Sequence, residues 1–397
     1  MEIKRSDQVH AYRLLQCLFV AARPLRVEEL AEILALDFDG IQGTPTLKEN
    51  WRWGDPEYAV LSTCSSLITI VDNGPYRVVQ FSHFSVKEFL TSDRLATSRR
   101  DFSQFHIALK DAHTTLTQAC LATLLQSHSS VSNDQVERNF PLASYASQHW
   151  VGHAMVSADT ARIDDGVQRL FDSTKPHFAT WLRLYNIDDH GNQFDNAWVA
   201  RGSPLYYASL YGFHRLAEHI IIVHPEQVNA KGGRRHSALA AALFNEHFHV
   251  ANLLYQHGAF VGVPDHNNQT LLHAASADGR IDLVLWLLDH DADVNSQPDA
   301  HGAPIHLATA NGHVEVIQAL LERGADIQAV DKGGRTPLHL ASSSDKAEIV
   351  RLLLELGADP NAVDKDGCPP LSLTWTTEVV GLLLDYGAHT DEEGDQL

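Results

Sequence analysis

The chain has 397 residues, 44% of them hydrophobic, and a formal net charge of −20. This length and composition predict two or three globular domains and exclude a disordered chain. Acidic residues are concentrated in the second half of the chain: residues 200–397 contain 12 Lys/Arg and 26 Asp/Glu, a net charge of −14. An acidic surface disfavours nucleic acid and anionic membranes as partners, because both require basic patches.

Two further features concern the cellular compartment. The four cysteines are isolated, without the C-x-x-C spacing of zinc sites, and this usage is typical of a reducing compartment. The first residues are polar, unlike a signal peptide, and the longest apolar run, residues 14–22, is too short to span a bilayer. We therefore expect a cytoplasmic protein, with the nucleus as an open alternative.

Residues 9–95 carry the pattern of a winged helix: three helices, a β-hairpin and a short closing helix. The hairpin turn is indicated by Asp72-Asn73-Gly74-Pro75 between two runs rich in β-forming residues. The predicted helices cover residues 9–22, 27–34, 57–68 and 85–90, and the predicted strands cover residues 67–71 and 76–81.

A DNA-binding regulator is the least favoured function for this winged helix. Residues 1–95 hold 10 Lys/Arg against 13 Asp/Glu, and the predicted third helix has no basic residue. A helix that enters the major groove needs several cations to neutralise phosphates.

Residues 100–200 are predicted to form a helical connector. Helices are expected over residues 105–126, 161–171 and 177–185, with Pro176 at a suitable position before the last one. We interpret residues 160–200 as an N-terminal cap of the repeats that follow, because a terminal repeat needs a polar outer face.

One phrase recurs at a fixed spacing over residues 203–390. Its second position falls at 204, 238, 271, 304, 337 and 370, so the steps are 34, 33, 33, 33 and 33 residues. The segments 303–330 and 336–363 match the signature T-P-L-H-x-A of ankyrin repeats, each a turn plus two helices, nearly throughout. The sequence therefore predicts six ankyrin repeats, which start near residues 203, 237, 270, 303, 336 and 369.

The ends of the predicted repeat helices have suitable residues. Thr336 can cap the first helix of its repeat, Pro337 suits the first helical position, and Gly357 suits a left-handed C-cap. The sixth repeat is three residues shorter than the fifth. We expect the deletion in the turn near residues 375–377, with a short or strained last helix pair.

Three histidines occupy the same place in successive repeats. His273, His306 and His339 are 33 residues apart, and stacked helices lie about 8–10 Å apart, too far for shared ligation of one metal ion. We interpret them as hairpin-stabilising residues. The sequence also lacks the G-x-S-x-G elbow of serine hydrolases, so we predict a non-enzymatic protein without catalytic residues, metal or cofactor.

Binding is the remaining function, and the hairpin tips are the candidate surface. In ankyrin arrays, the tips and the first helices line a concave face on which protein partners bind. An acidic or polar protein segment is expected to contact Arg234, Arg235 and Arg335, although these could also be solvated turn residues. The candidate protein-binding residues are Arg234, Arg235, His236, Asn267, Gln269, Asp299, His301, Lys332, Arg335 and Lys365.

The chain also resembles a family. The F-x-H-x-S-x-x-E-F-L phrase at 81–90, the segments 23–32 and 61–67, and the Y-A-x-x-H-W phrase at 145–150 are similar to fungal NACHT–ankyrin proteins, which are NOD-like signalling ATPases. In that family the winged helix is described as of the GPI inositol-deacylase type, a label that does not imply deacylation, and it packs on the nucleotide-binding NACHT domain.

The resemblance gives His83 a possible role, because it matches a histidine that contacts the nucleotide β-phosphate in related proteins. This sequence, however, has no G-x-x-x-x-G-K-[ST] motif to hold phosphates. His83 is then a vestigial nucleotide-sensor candidate, or a histidine that bonds to backbone. The chain resembles the sensor half of a NOD-like ATPase, and the alternative is a regulatory subunit of a separate NACHT ATPase, which it would contact through residues 9–95.

Overall fold

The computed structural model describes residues 5–38, 44–64, 66–97, 105–126, 132–157, 161–185, 202–265, 269–297 and 302–389. The chain divides into two compact units, Met1–Ala197 and Trp198–Leu397. The described part is mostly helical, with two small sheets in the first unit and stacked helix pairs in the second. None of its helices combines the length and apolar character that a membrane crossing requires.

The first unit begins with the winged helix and continues into a helical layer. Its described helices are α1 (Arg5–Val20), α2 (Val27–Leu34), α3 (Pro56–Cys64), α4 (Phe84–Leu90), α5 (Asp93–Ala96), α6 (Leu109–Gln126), α7 (Asn133–Asn139), α8 (Ala143–Val156), α9 (Ala161–Phe171) and α10 (His177–Leu184), with a 3₁₀ turn at Glu49–Trp51.

The strands of this unit form two small antiparallel sheets. The wing is a hairpin of β4 (Ile68–Asn73) and β5 (Tyr76–Phe81), and its two-residue turn contains Gly74 at a φ of 61°. Strand β1 (Leu25–Arg26) adds to the β5 edge through the pair Leu25 and Val79. The strands are β1 (Leu25–Arg26), β2 (Leu36–Asp37), β3 (Thr46–Leu47), β4 (Ile68–Asn73) and β5 (Tyr76–Phe81).

Several predicted helix bounds differ from the structure; the first helix, for example, was expected over residues 9–22, but α1 spans Arg5–Val20. The third helix was expected over residues 57–68, but α3 ends at Cys64 and Ile68 already begins β4. An apolar run can continue from a helix face into a buried strand, so periodicity alone does not show where one changes into the other. The long helix expected from residue 105 begins at Leu109.

The helical layer closes over a buried aromatic cluster. Trp150 and Trp181 are fully buried with ring centroids 5.4 Å apart, and Phe171 and Phe178 pack against Trp181. Trp181 Nε1 donates to the Ser147 carbonyl at 3.0 Å, so its one polar atom keeps a partner. The segment predicted as a connector therefore contributes a large share of this unit's core.

The second unit consists of helix pairs at the predicted spacing. Its helices are α11 (Pro204–Leu210), α12 (His214–Val223), α13 (Ala238–Phe244), α14 (Phe248–Gln256), α15 (Leu271–Ala277), α16 (Ile281–Asp289), α17 (Pro304–Asn311), α18 (Val314–Glu322), α19 (Pro337–Ser343), α20 (Ala347–Glu355) and α21 (Thr377–Asp385), with 3₁₀ turns at Pro225–Gln227 and Pro370–Leu373. The predicted cap over residues 160–200 stays a prediction, because residues 186–201 lie outside the described part.

A basic side chain links each of three successive helix pairs to the one before it. Arg280 Nη1 donates to the Phe244 carbonyl at 2.6 Å, His313 Nε2 to the Ala277 carbonyl at 3.0 Å, and Lys346 Nζ to the Ala310 carbonyl at 2.6 Å. The acceptors lie at or near the C-terminal ends of α13, α15 and α17, where unpaired carbonyls favour donors and positive charge.

In the sixth repeat the deletion shortens the first helix and leaves the turn intact, which corrects the sequence-based expectation. In the fifth repeat, seven helical residues, Pro337–Ser343, and a three-residue turn precede Ala347. In the sixth, the four residues Pro370–Leu373 form a 3₁₀ turn, and a three-residue turn again precedes the second helix.

Candidate functional site

The recurring histidine links its repeat to the hairpin before the next repeat in the third, fourth and fifth repeats. Thr336 donates to His339 Nδ1 from its backbone N–H at 3.1 Å and from Oγ1 at 2.8 Å, while His339 Nε2 donates to the Cys368 carbonyl at 3.1 Å. His273 makes the same contacts with Thr270 and the Gly302 carbonyl. Burial lowers the pKa of His339, which favours the neutral ring that this pattern requires.

An aspartate braces the regular hairpins. Asp331 Oδ1 accepts from the backbone N–H groups of Gly333 and Arg335 at 2.8 and 2.9 Å, and Asp364 Oδ1 accepts equally from Asp366 and Cys368. Asp331 Oδ2 also accepts from the Arg335 guanidinium at 2.8 Å. Arg335, predicted to bind a partner, is therefore neutralised within its own hairpin.

The hairpin before the second repeat, residues 230–236 (the second hairpin), is built differently. Gly232 stands where Asp331 stands in its repeat, and Tyr206 stands where His339 does. Tyr206 Oη accepts from the Arg235 backbone N–H at 3.2 Å, so a phenol replaces the imidazole as the link to the next hairpin. Gly233 has a φ of 71°, and a Cβ there would collide with the Tyr206 ring.

Beside this hairpin lies an open cleft of about 400 Å³, here called the hairpin cleft. Lys231, Arg234 and Arg235 supply its cations, and Phe244 and Phe260 supply its large apolar surfaces. Four residues predicted from the sequence alone line it: Arg234, Arg235, His236 and Gln269.

Arg235 lies against the floor of the hairpin cleft. Its guanidinium is 4.1 Å from the centroid of the Phe244 ring, a cation–π distance. Burial and the neighbouring charge of Arg234 lower the pKa of Arg235, although an arginine stays protonated under all ordinary conditions. The floor of the hairpin cleft thus carries the permanent, partly desolvated positive charge of Arg235, which lies over the Phe244 ring.

The remaining predicted residues lie elsewhere. Lys332 and Lys365 are exposed on the fifth and sixth hairpins and do not line the cleft. Asn267, Asp299 and His301 lie outside the described residues. His83 caps α4: its Nδ1 accepts from the Ser85 backbone N–H at 3.2 Å, and its ring lies 4.5 Å from that of Phe84.

Three residues of this site were not predicted from the sequence. Tyr206, Phe244 and Phe260 shape the second hairpin and the cleft, yet they read as ordinary apolar positions. Phe260 could have been found, because the corresponding places in the next three repeats hold aspartate. Within the described part of the chain, no group of three or more His, Cys, Asp or Glu side chains could hold a metal ion.

Two family models match the chain. One, described as the GPI inositol-deacylase winged helix domain, covers residues 1–104. The other, ankyrin repeats, covers residues 205–298 and 296–364. The chain therefore carries a winged helix of the GPI inositol-deacylase type and ankyrin repeats, a protein-interaction repeat.

The chain is also similar to individual proteins. The chain is 33% identical over 267 residues to the azaphilone pigments biosynthesis cluster protein L of Monascus ruber, a match that covers 63% of the chain and 55% of that protein. The chain thus spans about half the length of this curated relative. A crystallised ankyrin repeat domain from Acinetobacter baumannii is 31% identical, with a TM-score of 0.42, and the match covers 47% of this chain and 98% of that one. The relation to NACHT–ankyrin proteins stays a prediction.

Proposed function

We propose that the chain is a non-enzymatic, cytoplasmic adaptor whose ankyrin array binds a segment of a partner protein along its concave, hairpin-bearing face. The observation that supports this function most directly is that Arg234, Arg235, His236 and Gln269 line a single cleft. Cations beside aromatic rings provide both directional hydrogen bonds and apolar contact, which is the composition of interaction hot spots.

The test is to select peptides from a random displayed library against the full chain and to map their contacts by hydrogen exchange. We expect bound peptides to protect residues 228–240 and 260–274, the segments around the cleft. Helices α14 and α16, which lie second in their repeats, provide the internal control. Protection confined to these second helices, or a library that yields no binder, would contradict the proposed function.

A second candidate function is docking of the winged helix on a separate nucleotide-binding NACHT protein. It is favoured by aromatic side chains that this domain leaves exposed, including Phe84 at 69% and Phe89 at 51%. Large exposed apolar groups on a small domain commonly mark a protein interface. No comparable observation favours DNA binding.

Co-purification tests this second candidate. The full chain would be expressed with a NACHT-domain protein, and the paired change Phe84→Ser and Phe89→Ser should abolish an association that the parent chain shows. The change Val9→Ser, at an exposed residue of α1, serves as the control. Association that survives the paired change, or that never forms, would count against this function.

A further inference from the structure

We propose that the hairpin cleft selects a peptide segment in which a carboxylate lies next to a large apolar side chain. This inference rests on the proposed function, because it assigns a chemical preference to the same surface. The other repeats of the array are the reference, since they show which side chains the regular hairpin needs for its own folding.

The first difference from the later repeats is that the second hairpin lacks the aspartate that accepts backbone N–H groups. Asp265, Asp331 and Asp364 hold the corresponding position in the third, fifth and sixth repeats, and each accepts at least one backbone N–H of its own hairpin. The second hairpin has Gly232 there. Its Arg235 N–H bonds to Tyr206 instead, so the carboxylate is absent and part of its bonding role has moved to a neutral phenol.

The second departure is Phe260. Asp293, Asp326 and Asp359 occupy this place in the next three repeats, and each accepts from the N–H two residues further along. The backbone at Phe260 is arranged as in the later repeats. The Phe260 N–H donates to Asn229 Oδ1, and in the same way the Asp326 N–H donates to Asn295 Oδ1. Its ring is 63% exposed. The fold therefore does not require phenylalanine here.

The third departure is Arg235 itself, which replaces Gly334 and Gly367 of later hairpins. Together the three replacements add three positive charge units relative to the fifth repeat, which holds Asp331, Gly334 and Asp359 at these positions. The surrounding residues 200–397 carry a net charge of −14. A positive cleft on an acidic surface is electrostatically complementary to an acidic ligand and indicates where that ligand binds.

The geometry fits a carboxylate and an apolar group side by side. A guanidinium stacked on the Phe244 ring keeps its in-plane N–H donors, which match the two oxygens of a carboxylate. Phe260 lines the same cleft with its exposed ring and can pack on an aromatic or aliphatic side chain. Asp265, the carboxylate among the lining residues, braces the third hairpin through Gln269.

The openness of the cleft favours a peptide over a small molecule. Sites for small molecules enclose most of the ligand's surface, whereas Lys231, Arg234, Arg235 and Phe260 are all exposed. An extended chain can place one acidic residue and one apolar neighbour in the cleft and continue along the adjacent hairpins.

Fluorescence anisotropy with the full chain tests the inference. The probe is a labelled peptide with one phenylalanine flanked on both sides by glutamates. Phe260→Asp restores the side chain of the later repeats and should fold, and Arg235→Ala removes the guanidinium. We expect each change to weaken binding about tenfold or more. The controls Val363→Asp and Arg351→Ala, at exposed positions of other repeats, should change it less than about twofold.

Probe variants complete the test. A peptide with lysines in place of the glutamates should not bind, and one with alanine in place of phenylalanine should bind more weakly. Equal binding of the lysine peptide, or insensitivity to both cleft variants, would overturn the inference. Phenylacetate that binds as tightly as the peptide would reassign the cleft to small aromatic acids and overturn it too.

The two proposals fail in different ways. If library-selected peptides protect the hairpin face but show no preference for acid, the proposed function stands and this inference falls. If no peptide of either experiment contacts the hairpin face, both fall.

Discussion

At the scale of single residues, Ala303 takes the place that Thr270 and Thr336 hold in their repeats. Both threonine hydroxyls bond to the histidine Nδ1 at 2.8 Å. In the fourth repeat, His306 Nε2 donates to the carbonyls of Ala329 and Arg335, while its buried Nδ1 has no hydrogen-bond partner among the residues that the structure describes. The fourth repeat thus leaves a buried acceptor unsatisfied, which costs stability.

Ala303→Thr is expected to stabilise the array by about 1 kcal/mol, because it adds one hydrogen bond and a better N-cap. Urea unfolding of the two proteins measures the change. Thr270→Ala, which creates the same defect in the third repeat, should destabilise by a similar amount. A threonine at 303 that leaves the free energy of unfolding unchanged or lowers it would contradict this account.

Glu32 is a buried acid that joins two elements of the first unit. Its Oε2 accepts from the Leu142 N–H, at the start of α8, at 2.7 Å, and Arg52 lies 3.5 Å from Oε1. Burial raises the pKa of Glu32 to about 7, because these partners compensate only part of the lost hydration. The folded state therefore binds a proton at a pH where the unfolded chain has released it.

This pKa gives a pH dependence of defined sign. An unfolded glutamate titrates near 4.3, so between about pH 4.3 and 7 the folded state holds more protons and stability falls as the pH rises. The loss is on the order of 3 kcal/mol and is complete above about pH 7. Glu32→Gln should remove this slope, measured as the difference between the two proteins in urea unfolding from pH 5 to 8. Parallel stability curves would refute it.

The candidate site was partly accessible from the sequence at this scale. Arg234, Arg235, His236 and Gln269 follow from the position of the hairpin tips, which the 33-residue period alone locates. The ion pair between Arg335 and Asp331 could not be predicted in this way, because two loop residues four positions apart come together only when the turn has folded. The structure was therefore needed to show which cationic side chain is paired within its own hairpin and which is available to a ligand.

At the scale of elements, the last repeat shows why a deletion is absorbed by a helix. Asp345, at a φ of 49°, accepts through Oδ1 from the N–H groups of Trp375 and Thr376 and from the hydroxyls of Thr374 and Thr376. These bonds fix the three-residue turn that reverses the chain. The repeat period indicates that residues are missing, but only these contacts show that the turn must be kept.

Asp345→Gly tests this role, because glycine tolerates the positive φ and removes only the acceptor. We expect the amides of α21 to exchange with solvent at least severalfold faster, while α18 and α19 keep their protection. Ser344→Gly, in the same turn, provides the matched control. Unchanged exchange in α21, or equal acceleration in all three helices, would disprove the role of Asp345.

Element bounds were predictable where a local signal coincides with the boundary. Residues 27–34, 76–81 and 161–171 match α2, β5 and α9, since a cap, a turn or a strong helical period marks their ends. The signal fails where two elements share an apolar run, as between α3 and β4.

At the scale of the whole molecule, each compact unit buries a core of its own. The first contains the cluster around Trp181, and the second contains one continuous row of leucine, isoleucine and valine, in which Leu320 of α18 is fully buried. Helix pairs in a repeat array are stabilised mainly by their neighbours, so the array should respond to a core defect as a connected unit.

Two unfolding transitions are therefore expected in calorimetry of the full chain. Trp181→Ala should lower one of them, at a cost of about 3–5 kcal/mol, and Leu320→Ala should lower the other, at about 2–5 kcal/mol. Each variant serves as the control for the other, because Trp181→Ala alters only the core of the first unit and Leu320→Ala alters only the core of the second. A single transition that both changes lower equally would mean that the two cores unfold together, and stability would then be a property of the whole chain.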